Sequence, residues 1–148
     1  MLSQKCKYAL RALLMLAEAK PEELVLVQEI AEQQNVPRKF LELILLELKR
    51  HGFVYSQRGR GGGYCLARPG DTITFGQVVR AIDGPLAPLP CASVTGYRRC
   101  ADCLDERTCA IRKVMRSVRD AMADILDRTT LADAQGGRLD DHLLATVA

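Results

Sequence analysis

VPRKFLELILLELKRHGFVYSQRGRGGGYCLA, residues 36–67, is the stretch whose reading decides the fold. Val36-Pro37 opens it with proline at a position where a helix start tolerates one. Over residues 38–51 the apolar side chains Phe40, Leu41, Ile44, Leu45 and Leu48 recur at three- and four-residue spacing, which puts them on one helical face. Arg38, Lys39, Glu42, Glu47, Lys49 and Arg50 fall elsewhere on that helix, and Gly52 stops it. Residues 53–56 and 64–67 read as two strands, with the glycine-rich segment 57–63 as a hairpin tip.

Working outward, residues 3–19 place Ala9, Leu10, Leu13, Leu14, Leu16 and Ala17 at helical spacing, and Pro21 ends that element. Residues 24–27 have the composition of a short strand, and 28–34 of a short helix with Ile30 and Ala31 inward, broken at Asn35. The order helix, helix, turn, helix, hairpin predicts a winged helix-turn-helix, mainly α with a two-stranded wing. Downstream, Thr74 caps a helix over 75–83 that Gly84-Pro85 stops. Residues 109–128 carry Ile111, Val114, Met115, Val118, Ala121, Met122, Ile125 and Leu126 at helical spacing. A long helix so late in a small chain is a natural dimerisation element. The expected division is a DNA-binding domain over 1–84, a cysteine-rich loop over 85–108, the dimerisation helix over 109–133 and a polar tail over 134–148.

The chain has 148 residues, 48% hydrophobic and 26% charged, which is the balance of one globular domain with its own core and leaves no room for a second catalytic domain. Apolar runs such as 12–17 and 43–46 fall far short of a bilayer span, and the first residues lack the apolar stretch of a secretory signal. A cytoplasmic protein is expected, in which six cysteines serve as metal ligands or reactive thiols rather than as a disulfide frame. The net charge of +3 is unevenly spread. Residues 38–68 hold 7 basic side chains against 2 acidic ones, whereas 101–148 hold 7 against 9. That asymmetry predicts a polyanion-facing surface in the front half.

In a helix-turn-helix the second helix presents its N-terminal residues to base edges in the major groove. Pro37, Arg38, Lys39 and Glu42 occupy that end. Arginine can pair bidentately with guanine and glutamate can accept from cytosine N4, so Arg38 and Glu42 are the specificity candidates. Arg58, Gly59, Arg60 and Gly61 place two guanidinium groups among glycines at the hairpin tip, suited to phosphate or the minor groove. A nucleotide phosphate loop is disfavoured because strands flank the glycines on both sides and no Lys-Ser or Lys-Thr follows.

Cys91, Cys100, Cys103 and Cys109 lie in one irregular loop with the spacing C-x(8)-C-x(2)-C-x(5)-C. Four thiols so placed suggest a soft metal centre, iron–sulfur or zinc, with a thiol–disulfide switch as the metal-free alternative. Only Cys100 and Cys103 form the short hook that zinc sites favour in pairs, so the spacing favours an iron–sulfur cluster. Arg98, Arg99 and Arg107 nearby are expected to lower thiol pKa values. Cys65 and Cys6 read as small buried hydrophobes. A thiol oxidoreductase using Cys100-Ala101-Asp102-Cys103 is disfavoured because no βαβ pattern surrounds that motif. His51 and His142 have no acidic or nucleophilic partner that sequence can place beside them, and no enzyme is expected.

Tyr8-Ala9-Leu10-Arg11-Ala12-Leu13, Val36-Pro37 with Phe40-Leu41-Glu42, and the wing from Arg58 through Tyr64 carry a resemblance, together with Ile73-Thr74, Val79-Arg80-Ala81-Ile82-Asp83-Gly84-Pro85 and Thr129-Thr130-Leu131-Ala132-Asp133. The chain resembles the Rrf-two (BadM-type) family of winged-helix transcription regulators, among which are an iron–sulfur regulator and a nitric-oxide sensor. The likeness runs from about Ser3 to Asp133. It implies a homodimer on a palindromic double-stranded operator, with Cys91, Cys103 and Cys109 as ligands of a 2Fe–2S or 4Fe–4S sensory cluster. The chain departs from the family pattern in a longer first gap between cysteines and in Arg112 and Lys7, which stand where some members have a histidine or aspartate as fourth ligand. Cys100 is the substitute that the sequence offers.

Overall fold

The computed structural model describes residues 1–135 and 139; the tail expected over 134–148, including His142, lies outside the described residues apart from Ala134, Gln135 and Leu139. Ser3 starts the first helix, α1 (Gln4–Glu18), by accepting a hydrogen bond from the Cys6 amide at 3.0 Å. α1 buries Cys6, Ala9, Leu10, Ala12, Leu13 and Leu16, and its small residues let neighbouring helices approach closely. α2 (Val27–Gln34) ends at Asn35, whose left-handed φ of 51° turns the chain into α3 (Arg38–Arg50). Pro37 is the N-cap of α3, and Lys49 and Arg50 complement the helix dipole in its last turn.

The two wing strands, β1 (Val54–Gln57) and β2 (Gly63–Leu66), pair antiparallel with Val54 opposite Leu66 and Gln57 opposite Gly63. The expected strand over 24–27 contracts to a single bridge, Val25 with Tyr64, closed by two backbone hydrogen bonds of 2.8 Å. Val27 belongs instead to the first turn of α2. α4 (Phe75–Asp83) opens on a capping box in which Thr74 and Gln77 satisfy each other's backbone amides.

Leu13, Ile30, Leu41, Ile44, Leu45, Leu48, Ile73 and Val78 are fully buried where α1 to α4 meet. Removing each such side chain from water contributes ~2 kcal/mol. Phe40, expected on the buried face of α3, sits instead at its exposed margin, edge-on to Tyr8 at 5.9 Å between ring centroids. α5 (Ala110–Arg128) behaves differently from the other long helices: none of its residues is buried, and Ile111, Val114, Val118 and Met122 are exposed along one side. It leads through Thr129 and Thr130 into the short α6 (Leu131–Gln135), which returns to the domain. There the Phe75 amide donates to Thr129 O and the Leu131 amide to Ile73 O, both at 2.9 Å, and Leu131 is fully buried.

Cys6 lies against this core as expected of a small hydrophobe, and burial, with the Asp83 carboxylate adding to it, pushes its thiol up to about 12. A pKa raised by folding means that the unfolded chain loses this proton first. The stability it contributes is therefore full below about pH 9 and is lost as pH rises from about 9 towards 12. Urea midpoints of the parent protein are expected to fall more steeply than those of Cys6→Ala across that window. Parallel curves would remove Cys6 from the alkaline instability.

Candidate nucleic-acid interface and cysteine loop

α3 and the wing form one exposed surface. Arg38, Lys39, Glu42, Lys49 and Arg50 all face solvent on α3, as do Arg58, Gly59, Arg60 and Gly61 at the wing tip. Leu46, Lys49, Ser56, Arg58 and Tyr64 line the concavity between the helix and the hairpin. Lys49 Nζ donates to Ser56 Oγ at 2.7 Å, bracing the end of α3 against β1. Arg38 and Glu42, each expected to meet a base, meet each other here: Arg38 Nε donates to Glu42 Oε1 at 3.0 Å, and Arg38 Nη1 to Gln28 Oε1 of α2 at 3.2 Å. The N-terminal end of α3 is thus tied to α2 through Gln28, a contact that no sequence motif announces.

The tip glycines divide by task. Gly59 and Gly61 have positive φ, and a Cβ on either would meet open space. Gly62 and Gly63 serve the fold: a Cβ on Gly62 would lie 2.3 Å from Gln57 O, and one on Gly63 would lie 2.6 Å from Val25 O. The hairpin can fold over on itself and seat against Val25 only without those side chains.

The loop over 85–108 has little regular structure beyond a 3-10 turn at Pro90–Ala92, yet its first half is better anchored than its sequence suggests. Leu86, Cys91, Ala92 and Ser93 are buried. Two arginines of α5, one face apart by seven residues, fasten the turn: Arg112 Nε donates to Cys91 O at 2.9 Å and Arg119 Nη1 to Ala92 O at 2.5 Å. Arg112, which stands where some members of the resembled family have a histidine ligand, is therefore a clamp on Cys91. Their spacing in the sequence was a usable signal, since i and i+7 share a helix face.

Cys91 is the first influence on the Cys100 thiol, and the Cys103 amide donates to Cys100 O at 3.3 Å. Cys109 caps α5, its sulfur accepting from the Arg112 amide at 3.4 Å. The Cys100 thiol is pushed up, first by the hydrogen bond to Cys91, then by desolvation and by the charges of Cys91, Asp102 and Cys103. The arginine effect expected from the sequence does not govern this thiol, because Arg99 is turned to the Cys103 carbonyl at 3.2 Å and Arg107 to Asp105. The donor set has the chemistry of a soft-metal site. Its sulfurs are not gathered into one shell: among the described residues no three Cys, His, Asp or Glu side chains converge as they would around an ion.

With these features in place, the comparison with known proteins is specific. Residues 2–136 match the Rrf2 family, described as iron-dependent transcriptional regulators. The chain belongs to the Rrf2 family. It is a transcription regulator that binds DNA, not an enzyme. An rrf2-like HTH-type protein of Rhodobacter capsulatus is 46% identical over 137 residues, covering 90% of this chain and 91% of its own. The structure of CymR, the global cysteine regulator of B. subtilis, superposes with a TM-score of 0.75 at 32% identity, covering 90% of this chain and 95% of that one. T. potens IscR superposes with a TM-score of 0.71 at 28% identity, covering 90% and 85%. No helix among the described residues is long and apolar enough to cross a membrane.

Proposed function

We propose that two copies of this Rrf2 regulator join along the exposed apolar side of α5 and bind a palindromic double-stranded operator in the cytoplasm. The end of α3 formed by Pro37, Arg38, Lys39 and Glu42 enters the major groove, and Arg58, Gly59, Arg60 and Gly61 of the wing lie along the flanking backbone or minor groove. The supporting observation is the single basic surface that α3 and the wing share, with Lys49 and Ser56 holding the two parts at a fixed angle.

The sensory element is the cysteine loop, and its cofactor is an iron–sulfur cluster, 2Fe–2S or 4Fe–4S, held by Cys91, Cys100, Cys103 and Cys109. The soft-donor chemistry of the four thiols in one loop, with Cys91 acting on the Cys100 thiol and the Cys103 amide bonded to Cys100 O, supports this reading. When bound, the cluster supplies a group that responds to redox state, iron or nitric oxide. The chain's own part is to hold Cys91 through Arg112 and to place Cys109 at the start of α5, so that the state of the loop bears on the dimer helix. A second reading, a thiol–disulfide switch, is favoured by the influence of Cys91 on the Cys100 thiol: oxidation would join these sulfurs with loss of two protons and two electrons to an external oxidant. A zinc site is the third.

Protein purified without oxygen is expected to be coloured, with visible charge-transfer bands and matching iron and acid-labile sulfide, and Cys100→Ala is expected to lose them. Colourless protein containing zinc would establish the zinc site. Colourless, metal-free protein that forms a Cys91–Cys100 disulfide under mild oxidation would establish the switch.

A further inference from the structure

On α3 the buried residues Leu41, Ile44, Leu45 and Leu48 fix which side of the helix faces the core. The line directly opposite, at 100° per residue, runs Lys39, Leu43, Leu46, Arg50. Its two central residues are leucines, 64% and 41% exposed, bracketed by cations at both ends. This is the part of a DNA-reading helix that points furthest from its own domain. Large apolar side chains there are unsupported by any core, and the cations around them, with Arg58 and Arg60 on the adjoining wing, are complementary to a polyanion.

We infer that Leu43 and Leu46 are specificity-determining residues that pack against the C5-methyl groups of thymine in the major groove. Thymine is the one base whose major-groove edge carries an apolar group, and apolar side chains are its natural readers. Flanking cations on phosphate would press the helix to the depth at which the leucine methyls reach the base edges, while Glu42, one residue from Leu43 and on the side of Arg38, addresses a neighbouring base. The regulator therefore prefers thymine at one or two fixed positions in each half-site. The preference rests on removal of apolar surface from water rather than on hydrogen bonds. Its size should be that of one buried methyl group, about fourfold in affinity.

The probe is the duplex that the full-length protein itself enriches from a randomised double-stranded pool, remade with deoxyuridine replacing thymidine one position at a time. Deoxyuridine keeps every hydrogen-bonding group and lacks only the methyl. The parent protein is expected to lose about fourfold at one or two thymines per half-site. Leu43→Ala or Leu46→Ala is expected to bind the thymine duplex about that much more weakly and to show no further loss with deoxyuridine. Both side chains are exposed, so folding is unaffected, and an unchanged thermal midpoint checks it. Equal deoxyuridine losses in parent and variants would overturn the assignment, as would a parent protein indifferent to every substitution. A change of oligomeric state in Leu43→Ala without DNA would overturn it too, making the stripe a contact between copies. Enrichment of no duplex at all would remove the DNA-binding reading on which the inference rests.

Discussion

Gly63→Ala is expected to lower the stability of the domain by about 3–5 kcal/mol and to weaken operator binding more than tenfold. Gly63 has φ +149°, and an added Cβ would lie 2.6 Å from Val25 O, 2.8 Å from Val25 C and 3.1 Å from Val25 N. All three are backbone atoms, so no side-chain rotation relieves the collision. Either β2 or the segment before α2 must withdraw, and the two 2.8 Å hydrogen bonds between Val25 and Tyr64 are what is lost. Backbone strain of 1–3 kcal/mol adds to about 1 kcal/mol for each bond. Gly59→Ala is the control: φ is +91° there, but nothing stands within 4 Å, so the cost is about 1 kcal/mol and the wing stays seated. Urea unfolding of both variants measures the difference. Equal midpoints would mean that the Val25 bridge does not hold the wing.

That bridge also marks where the sequence stopped being legible. The helices were readable because each depends on contacts within a few residues: the apolar spacing of α3, Thr74 ahead of α4 and Gly52 and Gly84 behind their helices are local signals, and each element formed where expected. The apolar run Leu24 to Val27 predicts a strand through Val25, but a strand needs a partner over its length, and β2 offers only Tyr64. The glycine run was legible as a hairpin, whereas which glycines serve the fold depends on Val25, some forty residues away in sequence. The cysteine loop failed the same way. Its few apolar residues predict an unsupported loop, yet Cys91 and Ala92 are held by carbonyl contacts to Arg112 and Arg119, and charged residues of a distant helix are invisible to a hydrophobic pattern.

These long-range contacts join the loop to the DNA-reading domain. Arg112 and Arg119 attach the first part of α5 to the turn bearing Cys91. Near its other end Asp127 accepts two hydrogen bonds from Arg80 of α4, at 2.5 and 2.9 Å. Gly76 of α4 leaves room for that pair, since a Cβ there would lie 1.9 Å from Asp127 Oδ1. α4 in turn ends at Asp83, which accepts from the Ser3 amide at 2.8 Å at the start of α1. The Cys91 turn is thus tied to α5, and α5 by a bidentate ion pair to the winged domain.

How tightly the domain holds DNA at all is expected to depend most on the wing. Arg58 and Arg60 are exposed and have no ion-pair partner among the described residues, so neither guanidinium is neutralised before it meets a phosphate. Each phosphate contact releases counterions and contributes about 0.9 to the slope of log affinity against log salt. Arg58→Ala with Arg60→Ala is thus expected to flatten that slope by about 1.8 per bound chain, equivalent to roughly sixtyfold in affinity between about 1 M and about 0.1 M salt. In a complex of two chains the factor is squared. Ranking among operator sequences should survive, because phosphate carries no base identity. The double lysine variant separates charge from shape: lysine keeps the point charge and loses only the planar fork, so it should restore most of the slope. Fluorescence anisotropy over a salt series reads all three proteins. An unchanged slope in the double alanine variant would take the wing off the phosphates and leave α3 as the whole interface.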